Sequence, residues 1–240
     1  MPPQIAIGFD FDHTLGLDNK VERTVALDIL ARLASANEVT YDVDEATRAM
    51  DETLELYRAG KESVEAGIAG FLSHFVPGLG RVALDEAQSF RETIVERAPD
   101  FITELPHAQE MLTTLDGLGI RYAILTNGWS PLQEEKARLI GFRGSVFVSE
   151  RIGARKPSRE AFETLTNHFD LPPDRVWYVG DDPDIDSAGA RAFGLTAVWF
   201  DWEQRPYPSS LAAPDYTIHS LAELAPLVQG RSDVAANSAE

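Results

Sequence analysis

The spacing of apolar residues changes along the chain and predicts two different folding units. After Pro99, short apolar runs alternate with stretches of helical spacing, and strands are predicted over Arg121–Leu125, Ser145–Val148, Arg175–Val179, Leu195–Phe200 and Tyr216–Ile218. Helices are predicted between them from near Pro106 and over Ser130–Ile140, Ser158–His168 and Ala188–Ala192. This alternation predicts an open parallel sheet with right-handed crossovers. Residues 4–10, which are mostly apolar, predict one more strand of that sheet.

The segment between the first strand and the others has helical patterns only. Apolar residues at helical spacing predict four helices, namely Glu22–Ser35, Asp44–Ala59, Lys61–Phe75 and Leu84–Ala98. The predicted fold class is therefore α/β, a Rossmann-like open parallel sheet core with an inserted four-helix bundle. The core is assigned to residues 1–17 and 98–229, the insertion to residues 18–97, and residues 230–240 are predicted to be a disordered tail.

Composition excludes several classes of function. The formal net charge of −18 at pH 7 disfavours nucleic acid and anionic membranes as partners. The absence of cysteine excludes disulfides, thiolate catalysis and thiolate zinc sites. The start of the sequence has no signal-peptide pattern, and no apolar run approaches the ~18 residues that span a bilayer. We therefore expect a cytoplasmic protein, either a monomer or a homodimer, that binds no nucleic acid and no membrane.

Polar side chains follow the ends of four predicted strands. In chain order they are Asp10, Asp12 and Thr14; Thr126 and Asn127; Lys156, after a loop; and Asp181, Asp182 and Asp186. Each group alone is also typical of a turn, a helix cap or a solvated lysine. Open parallel sheets bind ligands at the carboxyl ends of their strands, so the combination predicts a single site.

These residue types are those that phosphoryl transfer needs. Close carboxylates repel one another unless a cation or a proton compensates them. Asp10 and Asp181 are the predicted Mg²⁺ ligands, with Asp186 in support, because Mg²⁺ prefers carboxylate and phosphate oxygens. Lys156 supplies a compact positive charge to the nucleophile and the phosphate.

Two further residues complete the predicted reaction. Thr126 offers a hydroxyl, and the backbone N–H groups that follow it begin a predicted helix, a position suited to anions. Asp12 is then available to protonate the leaving oxygen and later to activate water.

Four motifs in this order resemble the haloacid dehalogenase-like (HAD) hydrolase superfamily, in its phosphatase branch with a helical cap. They are Asp10-Phe11-Asp12-His13-Thr14, Thr126-Asn127, Lys156-Pro157, and Gly180-Asp181-Asp182 with Asp186. The resemblance covers the whole predicted sheet domain, and it implies that the helical insertion is a mobile cap.

The resemblance also implies a role for each motif residue. Asp10 would be the nucleophile that forms an aspartyl-phosphate, and Asp12 the acid/base. Mg²⁺ would be held by the Asp10 side chain, the Asp12 backbone carbonyl and Asp181. The remaining predicted site residues are Thr126, Asn127 and Lys156, which bind substrate or phosphate, and Thr14, Asp182 and Asp186, which support the site.

The predicted function is hydrolysis of small phosphorylated metabolites by a Mg²⁺-dependent phosphomonoesterase. A phosphomutase or a haloacid dehalogenase of the same superfamily is an alternative, although Asp12 favours a phosphate ester because a halide leaves without a proton. A phospho-accepting receiver domain is the alternative from another class. Chain order argues against it, because a receiver domain normally carries its phosphate-accepting aspartate after its third strand. Here Glu150 is the only acidic residue near the end of the third predicted strand.

Overall fold

The computed structural model describes residues 5–237, with side chains described as far as residue 230. The chain forms two compact units. One contains the residues up to Leu17 and those from Ile102 onward, and the other contains Asp18–Phe101. We call them the sheet unit and the helical unit. Within the described part of the chain, no helix is both long and apolar enough to cross a membrane.

The helical unit consists of four helices: α1 (Val21–Ala36), α2 (Val43–Arg58), α3 (Val64–Phe75) and α4 (Arg81–Arg97). Their boundaries follow local capping. Asp42 accepts a hydrogen bond from the backbone of Glu45 at the start of α2, and Ser63 does the same for Ala66 at the start of α3. Serine capping explains why α3 begins at Val64 and not at Lys61, where apolar spacing alone starts the helix.

The described part of the sheet unit contains eight strands: β1 (Ala6–Phe9), β2 (Gly16–Leu17), β3 (Thr103–Glu104), β4 (Arg121–Thr126), β5 (Ser145–Val148), β6 (Val176–Gly180), β7 (Thr196–Phe200) and β8 (Tyr216–Ile218). Six form one sheet in the order β5-β4-β1-β6-β7-β8, with every neighbouring pair parallel. This confirms the predicted open parallel sheet. The antiparallel pair β2–β3 was not predicted, because strands of two residues carry no periodicity.

Six α-helices lie in the residues of the sheet unit that the structure describes: α5 (Ala108–Gly117), α6 (Leu132–Leu139), α7 (Ser149–Ile152), α8 (Arg159–Phe169), α9 (Gly189–Phe193) and α10 (Leu224–Asn237). Alternate strand residues point to opposite faces of the sheet. One face, including Ile7 and Phe9, packs in a cluster with residues of α5 and α10. The other face, including Ala6 and Tyr178, packs in a cluster with residues of α8 and α9. Burial on both faces explains the almost uninterrupted apolar runs of the strands.

The carboxyl end of the chain differs from the prediction. Helix α10 extends to Asn237, so residues 230–237 are helical in a segment that we expected to be disordered. The first two turns of the helix contain Leu224 and Val228, which are both buried in the core cluster. The sequence pattern did not predict this packing. Residues 238–240 lie outside the described residues.

Candidate active site

Three neighbouring strands bring the first predicted site residues together. In the parallel sheet, β1 lies between β4 and β6, so the carboxyl ends of these strands are adjacent. Asp10 follows β1 directly, Thr126 is the last residue of β4, and Asp181 follows β6 directly. Asp10 and Thr126 are buried, and Asp181 is partly buried. The chain reverses its direction of strand addition here, which is where open α/β sheets bind ligands.

Lys156 lies at the centre of this site. Its ammonium is 2.7 Å from Asp10 Oδ1, 2.7 Å from Asp186 Oδ1 and 2.8 Å from the Tyr178 hydroxyl. An ammonium has three donors, and each of these acceptors can take one. Burial by itself would lower the pKa of Lys156, but the charges of Asp10 and Asp186 outweigh it and raise that pKa well above its ordinary value. The lysine is therefore a fixed positive charge at the end of β1.

Three carboxylates form a cluster around one point. One oxygen each from Asp10, Asp181 and Asp186 lies within 4.8 Å of the other two. Burial, and after it the charge of Asp10, raises the pKa of Asp181 to about 7. Negative charge is thus incompletely compensated, and an all-oxygen set of this kind fits Mg²⁺. The predicted ligands Asp10 and Asp181 belong to this cluster, and Asp186 is its third member.

A π-helical turn, Pro183–Ala188, places Asp186 in the cluster. Asp182 caps this turn, since its Oδ1 accepts hydrogen bonds from two of the turn's N–H groups at 2.8 and 2.9 Å. Gly180 has no side chain at the point of closest approach, where a β-carbon would lie 2.5 Å from Asp186 Cγ. A glycine is therefore required there for Asp186 to reach Lys156.

Asn127 links β4 to the segment that carries Lys156. Its Nδ2 donates to the Lys156 carbonyl at 2.9 Å, and its Oδ1 accepts from the Lys156 N–H at 2.9 Å. Both ends of the side-chain amide are therefore used on the lysine backbone. The N–H of Gly128 is also used, since it donates to the Ser149 hydroxyl at 3.0 Å.

The threonines and Asp12 complete the placement of the predicted residues. Thr14 is fully buried, and its Oγ1 has no hydrogen-bond partner among the described residues. Asp12 is partly exposed beside the site. Its Oδ1 accepts from the Lys136 ammonium at 2.8 Å, and its Oδ2 accepts from Gln133 Nε2 at 3.1 Å. Neither donor, Lys136 nor Gln133, was among the predicted site residues.

Three other neighbours of the cluster were missed. Tyr178 donates to the Leu125 carbonyl at 2.6 Å while accepting from the lysine, and burial raises the pKa of its hydroxyl well above the ordinary value. Trp199 Nε1 and Arg205 Nη2 both donate to the Asp181 carbonyl, at 2.9 and 3.1 Å. A tyrosine in the middle of a buried strand needs a partner for its hydroxyl, and that signal could have identified Tyr178.

Two proteins that are similar to this chain over most of its length are named as phosphatases. A phosphoserine phosphatase of Thermus thermophilus is 30% identical over 90% of this chain and 95% of its own length. A ribulose-1,5-bisphosphate 5-phosphatase of Halopiger xanaduensis is 28% identical over 93% of this chain and 98% of its own length.

Solved structures share the fold. The HAD hydrolase YfnB of Bacillus subtilis, crystallised with magnesium bound, has a TM-score of 0.67 at 22% identity, covering 93% of this chain and 98% of that one. A 2-haloacid dehalogenase of Pseudomonas syringae has a TM-score of 0.70 at 21% identity, and the match covers 95% of this chain and 99% of that one. Identities this low show the fold alone.

A family model decides membership. The model of the haloacid dehalogenase-like hydrolases matches residues 6–194, which is most of the chain. The match includes all four predicted motifs and the helical unit between the first and the second. The chain belongs to the haloacid dehalogenase-like hydrolases, as its motifs predicted.

Proposed function

We propose that this protein is a Mg²⁺-dependent phosphatase of small phosphorylated metabolites, and that it works through an aspartyl-phosphate at Asp10. The observation that carries the proposal is the Lys156 ammonium, 2.7 Å from Asp10 and 2.7 Å from Asp186, beside a cluster of three carboxylates. A carboxylate attacks an anionic phosphate only where positive charge compensates both partners. Lys156 supplies one such charge, and the cluster is suited to hold another.

The reaction would proceed in two displacements at phosphorus. First, a carboxylate oxygen of Asp10 bonds to phosphorus while the bond from phosphorus to the leaving oxygen breaks, and Asp12 gives that oxygen a proton. Next, water attacks the phosphorus of the aspartyl-phosphate, Asp12 takes a proton from the water, and the bond to Asp10 breaks. Inorganic phosphate is released, and both aspartates return to their initial states.

The Asp10 side chain, the Asp12 backbone carbonyl and Asp181 would hold Mg²⁺, with Asp186 in support. The ion, when bound, would neutralise charge on the phosphate oxygens. Thr126, buried at the end of β4, and Lys156 would bind those oxygens, and Asn127 would hold the Lys156 segment in place through its two hydrogen bonds.

Two considerations support the substrate class. The relatives from Thermus thermophilus and Halopiger xanaduensis carry names of phosphatases that act on small metabolites. Asp12 favours phosphate esters over haloacids, because an alkoxide needs a proton on leaving and a halide does not. We further propose that the helical unit acts as the cap that selects among such metabolites.

The test is hydrolysis of p-nitrophenyl phosphate with Mg²⁺ present, followed by a panel of phosphorylated metabolites. Wild type should release many equivalents of phosphate, whereas a receiver domain would stop near one. Asp10→Asn should abolish turnover, and Asp12→Asn should lower it by about 10²- to 10⁴-fold, the usual contribution of an acid/base group. Asp184→Asn, an exposed aspartate of the π-helical turn, is the matched control and should keep wild-type activity. Near-normal hydrolysis by both site variants would refute the proposal.

A further inference from the structure

Two polar side chains of α6 are buried on the face that meets Asp12. Gln133 and Lys136 are three residues apart, so they lie on one face of the helix. Gln133 is 4% exposed and Lys136 is 1% exposed. Lysine is almost never buried to this extent unless its charge is paired. A helix face buried in this way is ordinarily apolar, so these two side chains do more than fill space.

Both side chains converge on the same carboxylate. The Lys136 ammonium is 2.8 Å from Asp12 Oδ1, and Gln133 Nε2 is 3.1 Å from Asp12 Oδ2. One donor on each oxygen defines the rotation of the carboxylate as well as its position. The Asp12 side chain nevertheless remains 30% exposed, so part of the carboxylate stays accessible to substrate and water.

The placement of Gln133 requires space and leaves one of its atoms unsatisfied. A β-carbon at Gly128 would lie 2.8 Å from Gln133 Cγ, so the glycine leaves room for this side chain. Gln133 Oε1 is buried and has no hydrogen-bond partner in the described part of the structure. An unsatisfied buried acceptor is costly. The amide is therefore placed by its contact with Asp12 and not by the best solvation of its own oxygen.

We propose that Gln133 and Lys136 are positioning residues that hold the Asp12 carboxylate where it can exchange a proton with both the leaving oxygen and the attacking water. This inference rests on the proposed function, in which Asp12 is the acid/base of both displacements. Neither side chain takes or gives a proton itself. Without the two donors, the carboxylate would rotate away from the line of proton transfer, and displacements of about 1 Å can lower rates by about 100-fold.

The experiment separates attack by Asp10 from the steps that need Asp12. p-Nitrophenolate leaves without a proton, so its burst in stopped-flow measurements reports formation of the aspartyl-phosphate alone. Hydrolysis of an alkyl phosphate such as glycerol 2-phosphate needs Asp12 for both displacements. In Lys136→Met and Gln133→Leu, the burst rate should stay within about threefold of wild type. Turnover of glycerol 2-phosphate should fall by about 10- to 100-fold.

Two controls distinguish positioning from a general structural role. Arg138→Met removes an exposed cation of the same helix, which pairs with Glu135, and should change neither rate. In the Asp12→Asn background, Lys136→Met should lower turnover no further, because the residue it positions is already inactive.

Several results would overturn the proposal. One is an equal loss of the burst rate and of glycerol 2-phosphate turnover in Lys136→Met and Gln133→Leu. Another is wild-type turnover of glycerol 2-phosphate in both of these variants. A third is an additive loss of turnover when Lys136→Met is combined with Asp12→Asn. If Lys136→Met fails to fold, Gln133→Leu decides the question, since it leaves the ammonium in place. A wild-type protein that hydrolyses no phosphomonoester would instead refute the proposed function.

Discussion

In the metal-free protein, the free energy of unfolding should fall as the pH rises from about 5.5 to about 8. Burial, and after it the charge of Asp10, raises the pKa of Asp181 from 3.8 to about 7 in the folded protein. Between about pH 4 and pH 7, Asp181 therefore keeps a proton in the folded state that it has already lost in the unfolded chain. The stability linked to this proton is fully present below about pH 4 and is lost as the pH rises through about 7.

The expected magnitude follows from these two pKa values. Each bound proton changes the free energy of unfolding by about 1.4 kcal/mol per pH unit between them. For one group, the loss between pH 5.5 and pH 8 is about 2 kcal/mol, or about 4–8 °C in Tm for a chain of this size. Burial also raises the pKa of Asp186, which acts in the same direction.

The assay is urea unfolding in EDTA across this pH range, followed by tryptophan fluorescence. All four tryptophans, Trp129, Trp177, Trp199 and Trp202, belong to the sheet unit, so the signal reports on the unit that contains the cluster. The series is repeated with Mg²⁺. Because a metal binds the ionised carboxylates, the stabilisation by Mg²⁺ should grow as the pH rises.

Asp181→Asn should make the metal-free profile less steep, whereas Asp184→Asn should preserve its slope. Parallel profiles of wild type and Asp181→Asn would show that Asp181 does not cause the pH dependence. Greater stabilisation by Mg²⁺ at pH 5.5 than at pH 8 would show that the ion does not bind the ionised cluster.

Two substitutions test the surroundings of the lysine. Tyr178→Phe removes the hydroxyl that accepts from Lys156 and donates to a strand carbonyl, and should cost about 1–3 kcal/mol in urea unfolding; unchanged stability would contradict the buried hydrogen bonds. Gly180→Ala should displace the Asp186 side chain and lower phosphatase turnover by at least about tenfold, since displacements of about 1 Å can be that costly. Gly117→Ala, where a β-carbon meets nothing within 4 Å, is the control and should leave turnover unchanged. If Gly180→Ala were as active as Gly117→Ala, the position of the Asp186 side chain would not matter for turnover.

The architecture could be predicted from the sequence because it depends on periodicity. The pattern Ile5–Phe9 is apolar on both faces, and a strand of that kind is stable only inside a sheet with both faces covered. Ser145–Val148 and Tyr216–Ile218 were predicted with the bounds that the structure shows. The carboxylates at the strand ends could also be anticipated, because parallel strands bring their carboxyl ends to one edge.

The contacts of the long side chains could not be predicted in this way. Lys136 lies in a predicted helix among charged residues, where a lysine is ordinarily solvated. Its burial depends on how the folded chain turns α6 toward Asp12, which lies 124 residues earlier in the sequence. Tyr178 faces Lys156 because β6 pairs with β1 in a particular register, with Tyr178 opposite Gly8. Neither the rotation of a helix nor the register of a strand pair can be predicted from the spacing of apolar residues.

By itself, the sequence determined the parallel sheet, the helical insertion, and the acidic and basic groups that gather at the strand ends. The tertiary structure alone decided which donor meets which carboxylate: Lys156 between Asp10 and Asp186, and Lys136 with Gln133 on Asp12. The physical reason is the range of the forces involved. The spacing of apolar residues involves neighbours in the chain, so it can be recognised in the sequence. A hydrogen bond between distant residues forms only at about 3 Å, after packing has brought its donor and acceptor together.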